Sequence, residues 1–190
     1  RTPEPGLMAE LVFSDLPDNV LARFDGNDAA QAAIDEALVA ARRYCGWHVS
    51  PVRVNESIEI DGPGGQVLSL PTMRLNAVTS VTELGHTVDV SKLDRSRRKG
   101  TLTKPYGRWT CRDGAITAVV THGFTEAEAS DWRAAIIKVV DERSEQSIRD
   151  DADMKRKKVG NVEYEWFSAL LSTNEELATR FSQFRILPTP

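Results

Sequence analysis

The sequence predicts an α+β protein in which helices from the two ends of the chain pack as a bundle around their apolar faces, with a central antiparallel β barrel or sandwich inserted between them. Three observations carry this. Apolar residues recur at three- and four-residue steps before residue 45 and again after residue 130. Between residues 49 and 123 the period falls to two, with β-branched residues at the alternating places. Clusters of Gly, Pro and Asp divide that middle stretch into short runs. The expected domains are 1–48 with 124–190 as a discontinuous helical domain carrying an extended arm and a C-terminal tail, and 49–123 as the β insertion.

Residues 1–11 read as a loose arm. Ser14–Phe24 is expected to form a short helix, with Leu16, Val20, Leu21 and Phe24 on one side, ended by Asp25-Gly26-Asn27. A helix follows over Asp28–Tyr44: Ala30, Ala33, Ile34, Ala37, Leu38 and Ala41 make one stripe, and Asn27 or Asp28 suits its N-cap. Arg42 and Arg43 near its end favour the helix dipole, and Gly46 stands where a left-handed cap wants glycine.

In the middle stretch, Val52, Val54, Ile58 and Ile60 mark extended chain, Asp61-Gly62-Pro63-Gly64-Gly65 a turn, and QVLSLP another strand. AVTSVTEL turns at Gly85-His86 into TVDV, the basic loop DRSRRKG leads to TLTKP, and AITAVVTHGF is a strong last strand, so about six or seven strands are expected. The second helix carries Trp132, Ala135, Ile136, Val139 and Val140 as its stripe. Asp150–Lys158 is very polar, and VEYEWF alternates like a strand or extended arm. Thr173-x-x-Glu176 has the form of a capping box before a last helix bearing Leu177, Phe181 and Phe184.

With 190 residues the chain can bury about 70% of its unfolded surface, enough for a core without staples. Hydrophobic residues make up 41% and charged ones 27%, a globular balance. No run approaches the roughly 20 apolar residues of a membrane span, and RTPEPGLMAELVF lacks the charged-then-apolar pattern of a signal peptide. Two cysteines make no disulfide framework, which points to assembly in a reducing cytoplasm. At net charge −4 the whole chain is no evident nucleic-acid binder, so local basic runs must carry any such role.

Cys45, His48, Cys111 and His122 are the candidate metal ligands, but C-x2-H and C-x10-H lack the paired spacing of structural zinc sites. Cys45 reads better as a small hydrophobe at a helix end, with Trp47 covering the seam between the two parts. No orienting acid or oxyanion cradle makes Cys45–His48 a nucleophile pair. DGPGG leads into a strand and not a helix, so it is a turn and not a phosphate loop, and Asp150, Asp151 and Asp153 read as a solvated helix end. No catalytic residue, cofactor or metal is therefore expected. Two basic runs suit phosphate or an acidic protein: Arg95, Arg97, Arg98 and Lys99 between strands, and Lys155, Arg156, Lys157 and Lys158 after the long helix. The second run precedes Tyr164, Trp166 and Phe167, an aromatic set that suits an interface arm or a core strand alike. Leu177, Phe181 and Phe184 have the spacing of groove anchors, or of residues closing the chain's own core, and Ile186 and Leu187 extend them into an apolar tail.

The Ala-rich helix ending in RRYCGWHVSPV, then DGPGG-QVLSLP and NAVTSVTELG, AVVTHGF running into DWRAAIIKVV, the V-G-x-V-x-Y segment at Val159–Tyr164, and the E-x-L-x-x-F-x-x-F-R-I ending together resemble the head-to-tail adaptor, or connector, family of long-tailed bacteriophages. The likeness covers most of the chain and includes no catalytic signature; the β insertion is larger than in the minimal, mainly helical members. The resemblance implies a structural virion protein and no enzyme. It implies a dodecameric ring built by the helical domain beneath the portal, which joins portal to a tail-side neck, stopper or tail-terminator protein. Such a ring sits in the virion neck after assembly in the host cytoplasm, lets genomic DNA pass through its channel, and engages no membrane. The opposing reading is a small nucleic-acid-binding or hydrolytic domain with a Cys/His site.

Overall fold

The computed structural model describes residues 10–150 and 162–186. They form an α+β protein of two compact units, one drawn from Arg1–Cys45 and Ala129–Arg185, the other from Gly46–Glu128 and Ile186–Pro190.

The helical unit contains α1 (Asp18–Leu21), α2 (Asn27–Cys45), α3 (Ser130–Asp150), α4 (Val162–Thr173) and α5 (Glu175–Ser182). The single helix expected over Ser14–Phe24 is instead a 3-10 turn, Phe13–Asp15, followed by α1. Pro17 divides them: without an N–H it cannot continue a helix, but its carbonyl accepts the N–H groups of Val20 and Leu21, both at 2.9 Å, and so starts the next one. The stripe expected on α2 is the buried one, through Ala30, Ile34, Ala37, Leu38 and Ala41 to Cys45. Gly46 ends the helix at φ 81°, a conformation that costs glycine little.

The segment read as a strand or arm, VEYEWF, is the first half of α4. Six alternating residues are too few to fix a period of two once FSALLST follows at helical spacing. Phe167, Leu170 and Leu171 are buried at three- and four-residue steps. The Phe167 ring meets Tyr44 at 6.0 Å and Phe181 at 5.4 Å between centroids. The cap of α5 also lies one residue later than expected. Asn174 is the N-cap, its side chain accepting from Leu177 N at 3.1 Å, while Glu176 pairs with Arg180 at 2.8 Å. Trp132, Ile136, Val139, Phe167, Leu177 and Phe181 are each buried in this unit, and the Phe181 ring meets both Trp132 and Phe167.

The β unit holds seven strands in two antiparallel sheets: β1 (Arg53–Ile60), β7 (Ile116–His122), β3 (Leu75–Glu83) and β4 (His86–Val88) in that order, and β2 (Val67–Ser69), β6 (Thr101–Thr103) and β5 (Asp94–Ser96). The sheets do not close into a barrel; they are sandwiched over one apolar cluster that takes Leu68 and Leu102 from the smaller sheet and Val81, Ile116, Ala118 and Val120 from the larger. Lys104 pairs with Glu83 and lies 4.2 Å from the centre of the Trp109 ring, whose Nε1–H donates to Gln66 O at 2.9 Å. Gly100, at φ +59°, runs so close to Thr72 that a Cβ there would stand 2.0 Å from the Thr72 carbonyl oxygen. Where the chain joins this unit and where it leaves, the two segments meet: Phe124 N donates to Val49 O at 2.9 Å.

Among the described residues no helix is long and apolar enough to cross a membrane.

Candidate functional site

Along β7 every second residue is buried, Ile116, Ala118, Val120 and then His122, so an imidazole occupies the last inward place of an apolar row. On β1 the residues shielded in alternation are Glu56, Ile58 and Ile60, so a carboxylate takes the same kind of place. The two strands pair with Glu56 opposite Val120 and Arg53 opposite His122; the bulge between them, with Asn55 at φ 53°, shifts the register. Glu56 then reaches His122, with Oε2 2.6 Å from Nε2, and Arg53 Nη1 holds the other carboxylate oxygen at 2.7 Å.

His48 arrives from the segment between α2 and β1. Val49 there has φ 63°, a strained conformation for a β-branched residue, and the Ser50–Pro51 bond is cis. His48 Nε2 lies 3.0 Å from Pro51 O. Its ring stands edge-on to that of His122, centroids 4.5 Å apart and planes at 86°. Gly123 is required beside it, because a Cβ there would lie 2.6 Å from His48 Nε2. One ring nitrogen of each histidine and one carboxylate oxygen of Glu56 fall within 4.8 Å of one another. They line a cavity of about 320 Å3 with Trp47, Ile58 and Pro71.

Burial, then the neighbouring His122 and Arg53, push the His48 pKa down to about 4. Burial also lowers that of His122, against the pull of Glu56. Burial raises Glu56, but the hydrogen bonds from His122 and Arg53 outweigh it and hold the group below the usual carboxylate range. At neutral pH the site therefore presents two neutral imidazoles and one carboxylate, a donor set able to bind a cation or exchange a proton.

Of the four residues weighed as ligands from the sequence, the two histidines come together and the cysteines stay apart from them. Cys45 donates to Phe181 O at 3.7 Å, with its thiol pKa pushed up by burial to about 12, and Cys111 is exposed. Glu56 was missed; its signal is a carboxylate in phase with Ile58 and Ile60.

Arg95, Arg97, Arg98 and Lys99 are all exposed. The stretch expected as a loop begins as strand β5, which takes in Arg95, and the other three form the turn into β6. Lys155, Arg156, Lys157 and Lys158 lie outside the described residues, as do Leu187 and the side chain of Tyr164. Trp166 is half-buried on α4 with the Arg143 guanidinium 5.0 Å from its ring centre. Leu177, Phe181 and Phe184 are 1%, 0% and 7% exposed. Their spacing serves the helical unit's own core, because Trp132 meets Phe181 and Phe184 edge-on, and so they are not free groove anchors. Ile186 is half-buried in the β unit near Gly46.

The sequence matches no protein-family model and no curated protein. Among solved structures, the chain is similar to one from the neck of an empty GTA particle computed with C6 symmetry, at TM-score 0.61 and 12% identity, covering 100% of this chain and 95% of that one. It is also similar to a chain from the neck of a native GTA particle computed with C12 symmetry, at TM-score 0.52 and 11% identity, covering 94% and 88%. At such identities the likeness is one of fold, and it runs the length of both chains.

Proposed function

We propose that this chain is a structural neck protein, a head-to-tail adaptor that forms a dodecameric ring beneath the portal and joins it to the tail-side neck protein. The observation that carries this reading is the fold likeness, over the whole chain, to a protein of a particle neck. The resemblance in the order of sequence segments to phage adaptors points the same way, and particle necks computed with C6 and C12 symmetry suit a ring of many copies. In this reading the protein works by position and not by catalysis. The helical unit builds the ring, the acidic net charge of −4 keeps passing DNA from adhering to the channel wall, and the exposed Arg95–Lys99 turn meets an acidic neighbour. The ring belongs to the virion neck after assembly in the host cytoplasm.

Co-expression with the portal of the same particle, followed by native mass spectrometry and negative-stain imaging, tests it. A co-purifying assembly with twelve copies in a ring is expected. A chain that stays monomeric and never co-sediments with portal overturns the proposal.

A further inference from the structure

We propose that His48, Glu56 and His122 form a binding site for a divalent transition-metal ion, zinc in the first instance, which ties the Trp47–Pro51 segment to strands β1 and β7. The donor set is chemically apt: two imidazoles and one carboxylate suit zinc and its neighbours in the first transition row, whereas magnesium and calcium prefer all-oxygen sites. Both histidines are nearly inaccessible, at 7% and 2% exposure, yet they border a cavity from which an ion can enter.

The tautomer of His122 is not held by a second hydrogen bond. His122 Nε2 lies 2.6 Å from Glu56 Oε2, and its buried Nδ1 has no hydrogen-bond partner among the described residues, so the ring proton can sit on Nδ1 and leave the Nε2 lone pair, on the Glu56 side, for an ion.

The second sphere is already built. His48 is oriented by its contact with Pro51 O, and Arg53 occupies Glu56 Oε1; Oε2, which meets His122 Nε2 in the metal-free chain, exchanges that hydrogen bond for a single bond to metal. Around a tetrahedral zinc with bonds of about 2.0–2.1 Å, ligand atoms stand about 3.3 Å apart. The three donors, now within 4.8 Å with one pair at 2.6 Å, reach that geometry by side-chain shifts of about an ångström. Remaining coordination positions fall to water or to a group entering the cavity.

The test uses the full chain, stripped with a chelator and titrated with zinc chloride by calorimetry, and with cobalt(II) chloride followed by visible absorption. One equivalent of zinc per chain is expected, with cobalt d–d bands of a four- or five-coordinate site that zinc abolishes, and no response to magnesium. Glu56→Gln and His48→Gln should each weaken zinc by at least about tenfold, with circular dichroism confirming that they fold. His86→Gln, which alters an exposed histidine on β4, should change nothing. The absence of zinc heat and cobalt bands in the unaltered chain overturns the site. So does zinc binding that survives undiminished in folded Glu56→Gln and His48→Gln.

Discussion

Trp132 of α3 and Phe181 of α5 meet edge to face, with ring centroids 5.5 Å apart and planes at 89°. Both are fully buried, so the last helix is part of the helical core and not an appendage to it. Phe181→Ala should therefore cost about 3–5 kcal/mol, since it removes a large ring and leaves a cavity. Removal of residues 174–190 should lower the melting temperature sharply or cause aggregation. Denaturant unfolding of the point variant and a thermal melt of the truncated chain check this; a truncated chain that melts like the parent would refute it.

The two thiols should behave oppositely. Cys111 is exposed, and Cys45 is buried with its pKa pushed up to about 12. At pH 8 a thiol reagent should modify Cys111 quickly and Cys45 only after unfolding. Cys45→Ala should cost about 1–2 kcal/mol, the worth of a small packed side chain. Peptide mapping after timed labelling separates the two sites.

Glu83 gives the β unit an acid-sensitive joint. Burial raises its pKa, but hydrogen bonds from Lys104 and from Thr110 N–H prevail and hold it below the usual value. A carboxylate depressed on folding contributes stability above its unfolded pKa of about 4.3, and that contribution is lost as pH falls through the folded pKa. Stability should therefore fall on acidification in two stages, from about pH 6.5 as the unfolded chain protonates His48 and His122, and further below about pH 4.3 as the Glu83 contribution is lost; Glu83→Gln should shrink only the second stage. Glu128, held low chiefly by Thr125 N–H, adds to the same limb, so part of the drop should remain in the variant. Denaturant midpoints measured from pH 7 down to pH 3 give both curves.

Changing Arg95, Arg97, Arg98 and Lys99 together to Ser should alter folding stability by no more than about 0.5 kcal/mol, since all four side chains are exposed. Association with portal or tail partner should weaken, and its dependence on salt should flatten. Sedimentation across a range of ionic strength is the measurement; identical profiles for the two proteins would assign the run to solubility alone.

Gly100→Ala should destabilise the β unit by more than about 1 kcal/mol, because the new methyl meets the Thr72 carbonyl and the backbone holds a left-handed angle. Tryptophan fluorescence during denaturant unfolding, with Trp109 buried in that unit, reads this out.

Much of the fold was legible in short-range pattern. The alanine stripe of α2 and the alternation of β7 each run long enough for one period to win. Where the pattern was short, context decided: VEYEWF alternates for six residues, and only the downstream Leu170 and Leu171, packing beside Phe167, make it helical. Pro17 split a predicted helix for a local reason, its missing N–H. The site was half legible. His48 and His122 drew notice as rare residues, but Glu56 joins them only through the β1–β7 register and a bulge, neither of which leaves a mark in linear spacing.

The hydrogen bond from Phe124 N to Val49 O brings the incoming and outgoing chain of the β unit side by side. To the helices, a long insertion whose two ends adjoin costs about as much closure entropy as a short turn, because the intervening residues are folded and explore no loop conformations. The β unit can therefore grow, shrink or be exchanged for another fold with adjoining ends while the helical halves still find each other. Variation in its size among proteins built this way would then be nearly neutral for the helical core, and selection would act on what the insertion touches.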